Sequence, residues 1–412
     1  MKKTLLTVFM SSSVMLLTAC GSGDGDSVFT SSNNESANNI QNPVVSVTAY
    51  TQDGMSLVAA DSQLMTYKML GVNGKEVQAT SLVFTPKTAA PANGWPIVVW
   101  AHGTTGVADK CAPSQQGLKE SQMLLTKLLL AGYVVVAPDY EGLGAEGNHP
   151  FLNLKSEAFS ITDAVVATHD YLRRQGKKVA PQWMTIGHSQ GGHAALGAAQ
   201  YASRAQLDYK GTIAIAPASN LAAILQGGEN AVKDQPVGVQ IQALPPLDAF
   251  TSLIVAGMQG HQVSVSYADV FKADTAKIAP IAETECLDSV REALFKGMTD
   301  YIALPEHSGS LSGYGRKQDN FMSIPVINNF LIKDSQPGTV KLNQPVIIYQ
   351  GGQDATVPKA ATDLLRASAE AKGTIIQYKP DAKWTHSSVY LENLDQFVID
   401  VQKMMPATIP TP

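Results

Sequence analysis

Short, almost wholly apolar runs recur along this chain, each closed by glycine, proline or polar residues. Residues 96–100 read Pro-Ile-Val-Val-Trp and residues 133–137 read Tyr-Val-Val-Val-Ala, and runs 183–186, 211–216 and 345–349 have the same character. They are strand-length and lack polar alternation, as strands covered on both faces do. Residues 44–47 and 81–85 predict two earlier strands, and 374–378 a later one. Between these runs, 118–130 and 161–172 have helical length, 194–199 is a small-residue run suited to a helix lying close on a sheet, and 389–404 predicts a terminal helix. Strands alternating with helices predict an α/β fold: a mostly parallel sheet with helices on both faces. In such sheets ligands bind beyond the carboxyl ends of the strands, so the turns there are the place to look for chemistry.

The first residues follow a different pattern. Met1-Lys2-Lys3 precede an apolar run over 5–17 that ends in Leu17-Thr18-Ala19-Cys20-Gly21. This reads as a signal peptide over 1–19 with a bacterial lipobox, which would leave Cys20 as a lipid-modified amino terminus. Residues 20–42 are rich in Ser, Asn, Gly and Asp with little to bury, the composition of a flexible tether. The expected arrangement is an exported protein anchored to a bacterial cell envelope, touching membrane only through its N-terminal lipid. Beyond the leader, no run is read as long and apolar enough to cross a bilayer.

The remaining body, 43–406, has no second linker and no repeat. The net charge is -5 with Lys and Arg scattered, so the electrostatic footprint of a nucleic-acid binder is missing. Three cysteines are too few and too dispersed for a metal site, and no cofactor is implied. Cys111 and Cys286 would travel to an oxidising compartment, where either a bridge or two separate buried thiols is compatible with the sequence.

The candidate chemistry is centred on Gly187-His188-Ser189-Gln190-Gly191, between the strand 183–186 and the helix 194–199. This is a G-x-S-x-G nucleophile elbow in its required context, which makes Ser189 the expected nucleophile. After strand 96–100 comes Ala101-His102-Gly103-Thr104, an oxyanion-type turn. The expected donors are the backbone N–H of Gln190 and that of Thr104 or Gly103. After strand 345–349 comes Gln350-Gly351-Gly352-Gln353-Asp354, and Asp354 is the expected acid because this fold orders its triad Ser, Asp, His. His386 is the only histidine beyond Asp354, which makes it the expected base by elimination. His188 and His193 read as structural, and His149, His169, His261 and His307 have no partner that the sequence identifies.

Together the elbow, the segment Val135-Val136-Ala137-Pro138-Asp139-Tyr140-Glu141-Gly142 and Tyr349-Gln350-Gly351-Gly352-Gln353-Asp354 resemble the secretory lipase family, over roughly 44–404. The resemblance implies an α/β-hydrolase core over 43–217 and 326–412, a helical cap over 218–325, and hydrolysis of small-molecule carboxylic esters or lipids. It also implies that Cys111 pairs with Cys286, stapling the loop after the oxyanion strand to the cap. The chain departs from fungal members in its lipobox and in Ala101-His102-Gly103, which puts the substrate in doubt. Asp139, Tyr140 and Glu141 are read as shaping a loop rather than as chemistry. The apolar segment 241–258 suits a lid over an acyl tunnel and a buried helix pair equally. The expected reaction is ester cleavage through an acyl-enzyme; an acyltransferase, a serine peptidase and a non-catalytic binding protein of the same fold are the alternatives.

Overall fold

The structure is a computed structural model that describes residues 37–261 and 263–407. The expected leader, the Cys20 lipidation site and the tether as far as residue 36 lie outside the described residues. One of the last residues assigned to the tether is packed against the body. Asn38 is buried, donating its side-chain amide to Asp163 and its backbone N–H to the Arg204 carbonyl, both at 2.9 Å.

Strands β1 (Val44–Ala49), β2 (Ala59–Leu70), β3 (Glu76–Pro86), β4 (Trp95–Ala101), β5 (Val134–Pro138), β6 (Val179–His188), β7 (Asp208–Ile215), β8 (Val346–Gly351) and β9 (Ile376–Asp381) form one sheet. Their order is β1-β2-β3-β5-β4-β6-β7-β8-β9. The first three and β5 pair antiparallel, and from β5 onward every pair is parallel. This is the α/β-hydrolase architecture. The sequence reading omitted β2, because Met65, Tyr67 and Met69 alternate inward among polar neighbours without a β-branched run to announce a strand.

The period-two geometry of the central strands divides their side chains between two cores. Ile97 and Val99 join the helices Leu154–Arg174 and Gln190–Gln200 on one face, while Val98 and Trp100 join Ser121–Leu130 and Leu394–Met404 on the other. The terminal helix expected over 389–404 is split, with Asn393 standing between the short helix Ser388–Leu391 and Leu394–Met404. Register matters more for function than strand count. Ala101 lies beside Gly187, Gly187 beside Ala214, Ala214 beside Ile348 and Ile348 beside Tyr378, so β4, β6, β7, β8 and β9 end at one carboxyl edge.

Between β7 and β8 the chain adds helices that include Leu221–Val232, Val237–Gly260 and Leu287–Ala303, packed around their own apolar cluster. That cluster includes Ile327, Phe330 and Leu331, beyond residue 325. One expectation needs correcting here. Val237–Gly260 is long and apolar enough to cross a membrane by length and composition, and 67% of its apolar window is buried within the protein. Pro245 and Pro246 make the sequence look like two short pieces, but both lie inside the helix. Cys111 and Cys286 are bonded, closing a 175-residue loop. Around them, the Leu287 N–H donates to the Thr105 carbonyl at 2.9 Å and Gly106 bridges to Cys286, so the turn after β4 and the helix Leu287–Ala303 are joined both covalently and through the backbone.

Candidate active site

Ser189 stands between β6 and the helix Gln190–Gln200 with φ 59° and ψ -118°, a conformation non-glycine residues rarely adopt and which costs about 1–3 kcal/mol. The surrounding structure compensates. A Cβ on Gly187 would collide with the Gly191 carbonyl, one on Gly191 would collide with the Ala101 carbonyl, and one on Gly192 would lie 2.9 Å from Pro217 Cα. Only glycine lets the helix start this close to the sheet. The Ser189 N–H donates to the Ile215 carbonyl at 2.8 Å, and its own carbonyl accepts from His193 at 3.1 Å and Ala218 at 3.2 Å. With the serine N–H occupied, Gln190 is the first residue of the helix, where backbone N–H groups have no intrahelical acceptor.

The turn after β8 holds Asp354. Its Oδ1 accepts the N–H groups of Thr356 at 2.9 Å and Val357 at 2.7 Å, and its Oδ2 lies 2.8 Å from His386 Nδ1. A carboxylate can only accept, so Nδ1 carries the ring proton and Nε2 is the basic nitrogen. The backbone ties the two turns together: the Gln353 N–H donates to the Trp384 carbonyl at 2.9 Å and the Gly352 N–H to the Asp381 carbonyl at 2.7 Å.

The turn after β4 packs on the elbow. A Cβ at Gly103 would lie 3.5 Å from the His188 carbonyl oxygen and 3.9 Å from Ser189 Cβ. His102 is buried, its imidazole stacks on Tyr140 at 4.3 Å, and burial lowers its pKa to about 4, so the ring is neutral. The Tyr140 hydroxyl donates to the His102 carbonyl at 3.0 Å. Asp139 accepts from the Thr80 hydroxyl and the Ser114 N–H, with a pKa pushed up to about 6 by burial. Glu141 accepts the Val72 N–H on both oxygens and the Ser156 hydroxyl on one. These three side chains are occupied in bracing the loop.

Under the elbow lies a group of residues that sequence reasoning missed. Glu157 and His193 are fully buried, with His193 Nδ1 2.6 Å from Glu157 Oε2 and His193 Nε2 2.9 Å from the Ser335 carbonyl. The Gln190 side-chain amide donates to Glu157 Oε1 at 2.8 Å and to His149 Nε2 at 2.7 Å, while His149 Nδ1 donates to the Glu141 carbonyl at 2.9 Å. Burial by itself would raise the Glu157 pKa, but the charge and hydrogen bond of His193 outweigh it and hold the carboxyl at about 2. The side-chain partners are 33 to 41 residues apart and the Ser335 carbonyl is 142 residues from His193, so no local spacing marks them.

A cavity of about 1220 Å³ opens over this edge. The turns at the sheet edge contribute His102, Gly103, Thr104, Ser189 and His386 to its wall, and the helical segment between β7 and β8 contributes Ile224, Val232, Leu247, Phe250 and Leu287. The residues expected as nucleophile, base and oxyanion turn share that cavity, and Asp354 stands behind His386. The Gln190 side chain points into the buried network, leaving only its backbone N–H for the role expected of it. Among the described residues, no group of three or more His, Cys, Asp or Glu could hold a metal ion.

Residues 114–396 match the model of the secretory lipase family. The chain belongs to that family. Solved structures with the same fold include a protein from Legionella pneumophila, at 17% identity over 90% of this chain and 100% of that one, with a TM-score of 0.68. Candida antarctica lipase A in its closed state gives 18% identity over 90% and 84% of the two chains, with a TM-score of 0.68. The rice cell wall degrading esterase LipA of Xanthomonas oryzae gives 19% over 89% and 98%, with a TM-score of 0.63. Among curated proteins none matches by sequence. As a secretory lipase family member the chain is a carboxylic ester hydrolase of the lipase and esterase class, and its substrates are small-molecule esters or lipids.

Proposed function

We propose that this secretory lipase family member cleaves carboxylic esters through a Ser189–His386–Asp354 triad and an acyl-enzyme intermediate. One observation carries the reading: a strained serine and a carboxylate-bound histidine from different turns share one cavity, with the histidine's basic nitrogen free of the carboxylate. His386 Nε2 takes the Ser189 proton as Oγ attacks the ester carbonyl. The oxyanion forms against the N–H of Gln190 and that of Thr104 or Gly103, and each such donor is worth about 100- to 1000-fold in rate. His386 then returns the proton to the leaving alcohol; water, deprotonated by His386, attacks the acyl-enzyme and releases the acid and Ser189. Asp354 holds the imidazole in the required tautomer and stabilises it when charged.

The test is turnover of p-nitrophenyl esters from acetate to palmitate by the wild type and Ser189→Ala. The variant is expected to lose turnover by at least about 1000-fold and keep its melting temperature; an equally active variant overturns the triad. Added alcohol and peptide amides in the same assay separate hydrolysis from acyl transfer and peptidase activity. Membership in a secretory family supports export, and the lipobox supports a lipid-anchored Cys20; labelling with a radioactive fatty acid that persists in Cys20→Ala would refute the anchor.

A further inference from the structure

His188 precedes the nucleophile in sequence, yet its ring reaches across the edge of the sheet to the loop carrying His386. Its Nε2 lies 2.8 Å from the backbone carbonyl oxygen of His386, and the two rings are 4.6 Å apart. The other face of the contact is aromatic: His188 stacks on Tyr390 at 5.5 Å, and Tyr390 packs against Trp100 at 5.4 Å. A carbonyl oxygen only accepts, so His188 must carry its proton on Nε2.

That contact adds a directional hydrogen bond to the ring packing between the elbow and the His386 loop. The His386 side chain is held by Asp354, and Trp384, two residues earlier, is tied to the Asp354 turn through Gln353. After His386 the chain turns into the helix Ser388–Leu391, where the Thr385 carbonyl accepts from Val389 and the Ser387 carbonyl from Leu391. The His386 carbonyl falls between these two bonded carbonyls and is taken by His188 instead. Without that bond only ring packing, which is not directional, would hold the main chain of His386 against the elbow.

We propose that His188 is a positioning residue for ester cleavage: its ring N–H fixes the main chain of His386 relative to Ser189, and so sets the distance over which the proton moves. The inference rests on the triad reading above. Burial and then the proximity of His386 push the His188 pKa down to about 3, so the ring stays neutral and does not compete for the proton that His386 carries. A displacement of about 1 Å between reacting groups costs on the order of 100-fold in rate without altering how the substrate binds.

Two substitutions separate the hydrogen bond from the packing. His188→Phe keeps a ring against Tyr390 and removes the donor; His188→Gln removes the ring and keeps an N–H at the same number of bonds from Cβ. The expected result is a kcat about 10- to 100-fold lower for His188→Phe with KM within about twofold, and recovery of most of that loss in His188→Gln. A His188→Phe enzyme with unchanged kcat overturns the proposal, and so does a His188→Gln enzyme as impaired as His188→Phe. Ser189→Ala and His386→Ala are measured beside them. If those retain activity, the triad reading fails; if they are inactive while His188→Phe is normal, only the positioning role fails. For the unmodified protein, nitrogen NMR of the imidazoles should find the His188 proton on Nε2, and a proton on Nδ1 would refute the bond whatever the variants do.

Discussion

Two histidine–carboxylate pairs lie close to the elbow, alike in local geometry and opposite in situation. His386 Nδ1 is 2.8 Å from Asp354, and His193 Nδ1 is 2.6 Å from Glu157. The difference is at the second nitrogen. His193 spends Nε2 on the Ser335 carbonyl and its side chain is fully buried, whereas the His386 side chain is 19% exposed on the cavity wall. A carboxylate partner therefore does not mark a catalytic histidine by itself. A base needs one nitrogen occupied and the other open, while a histidine with both occupied is a buried crosslink, here joining the helix Gln190–Gln200 to the helix Leu154–Arg174 and to the chain at Ser335.

The comparison is best broken by treating both carboxylates alike. Asp354→Asn is expected to lower kcat by about 10,000-fold through the wrong tautomer, with little change in the melt. Glu157→Gln should do the reverse, since it removes a charge whose surroundings are built for it. The Glu157 pKa is about 2 against an ordinary 4.5. A carboxyl with a lowered folded pKa contributes stability above its unfolded pKa and loses it as pH falls through the folded one. The contribution is about 3 kcal/mol, fully present above pH 4.5 and lost toward pH 2. Chemical denaturation of Glu157→Gln at pH 7 should show a loss of that order, and the variant's stability should change less than the wild type's between pH 4.5 and 2. If instead Glu157→Gln keeps its stability and loses kcat as deeply as Asp354→Asn, the division of labour is wrong. The smallest effect is expected at the link between pair and site. Gln190→Met removes the donors to Glu157 and His149 and should cost about 1–3 kcal/mol of stability, with kcat falling about 10-fold if the helix start shifts. Unchanged denaturation and kinetics would mean that the amide bonds contribute nothing.

Much of the candidate site could be proposed before the fold was known, and the reasons are local. The elbow is one continuous stretch whose glycines, nucleophile and flanking elements are all within reach of one another. Asp354 followed from a strand and a turn, and His386 from chain order and elimination. The cysteine pairing came from family resemblance, since two thiols at that separation are otherwise compatible with a bridge or with none. Glu157 was not singled out and His149 had no partner that the sequence identifies, because each is defined by a partner dozens of residues away. His188 and His193 read as structural, but their partners could not be named, the acceptor of His188 lying 198 residues later.

The sequence by itself determined the α/β pattern, the elbow and the candidate reacting side chains, since these depend on periodicity, on glycine at fixed offsets and on the chemistry of single residues. Only the tertiary structure decided which histidine is open and which is a crosslink, that Val237–Gly260 is one helix through two prolines, and that Asn38 is part of the packed body. Those outcomes depend on burial and on hydrogen-bond partners brought together by the register of five strands, and a linear chain does not display that register.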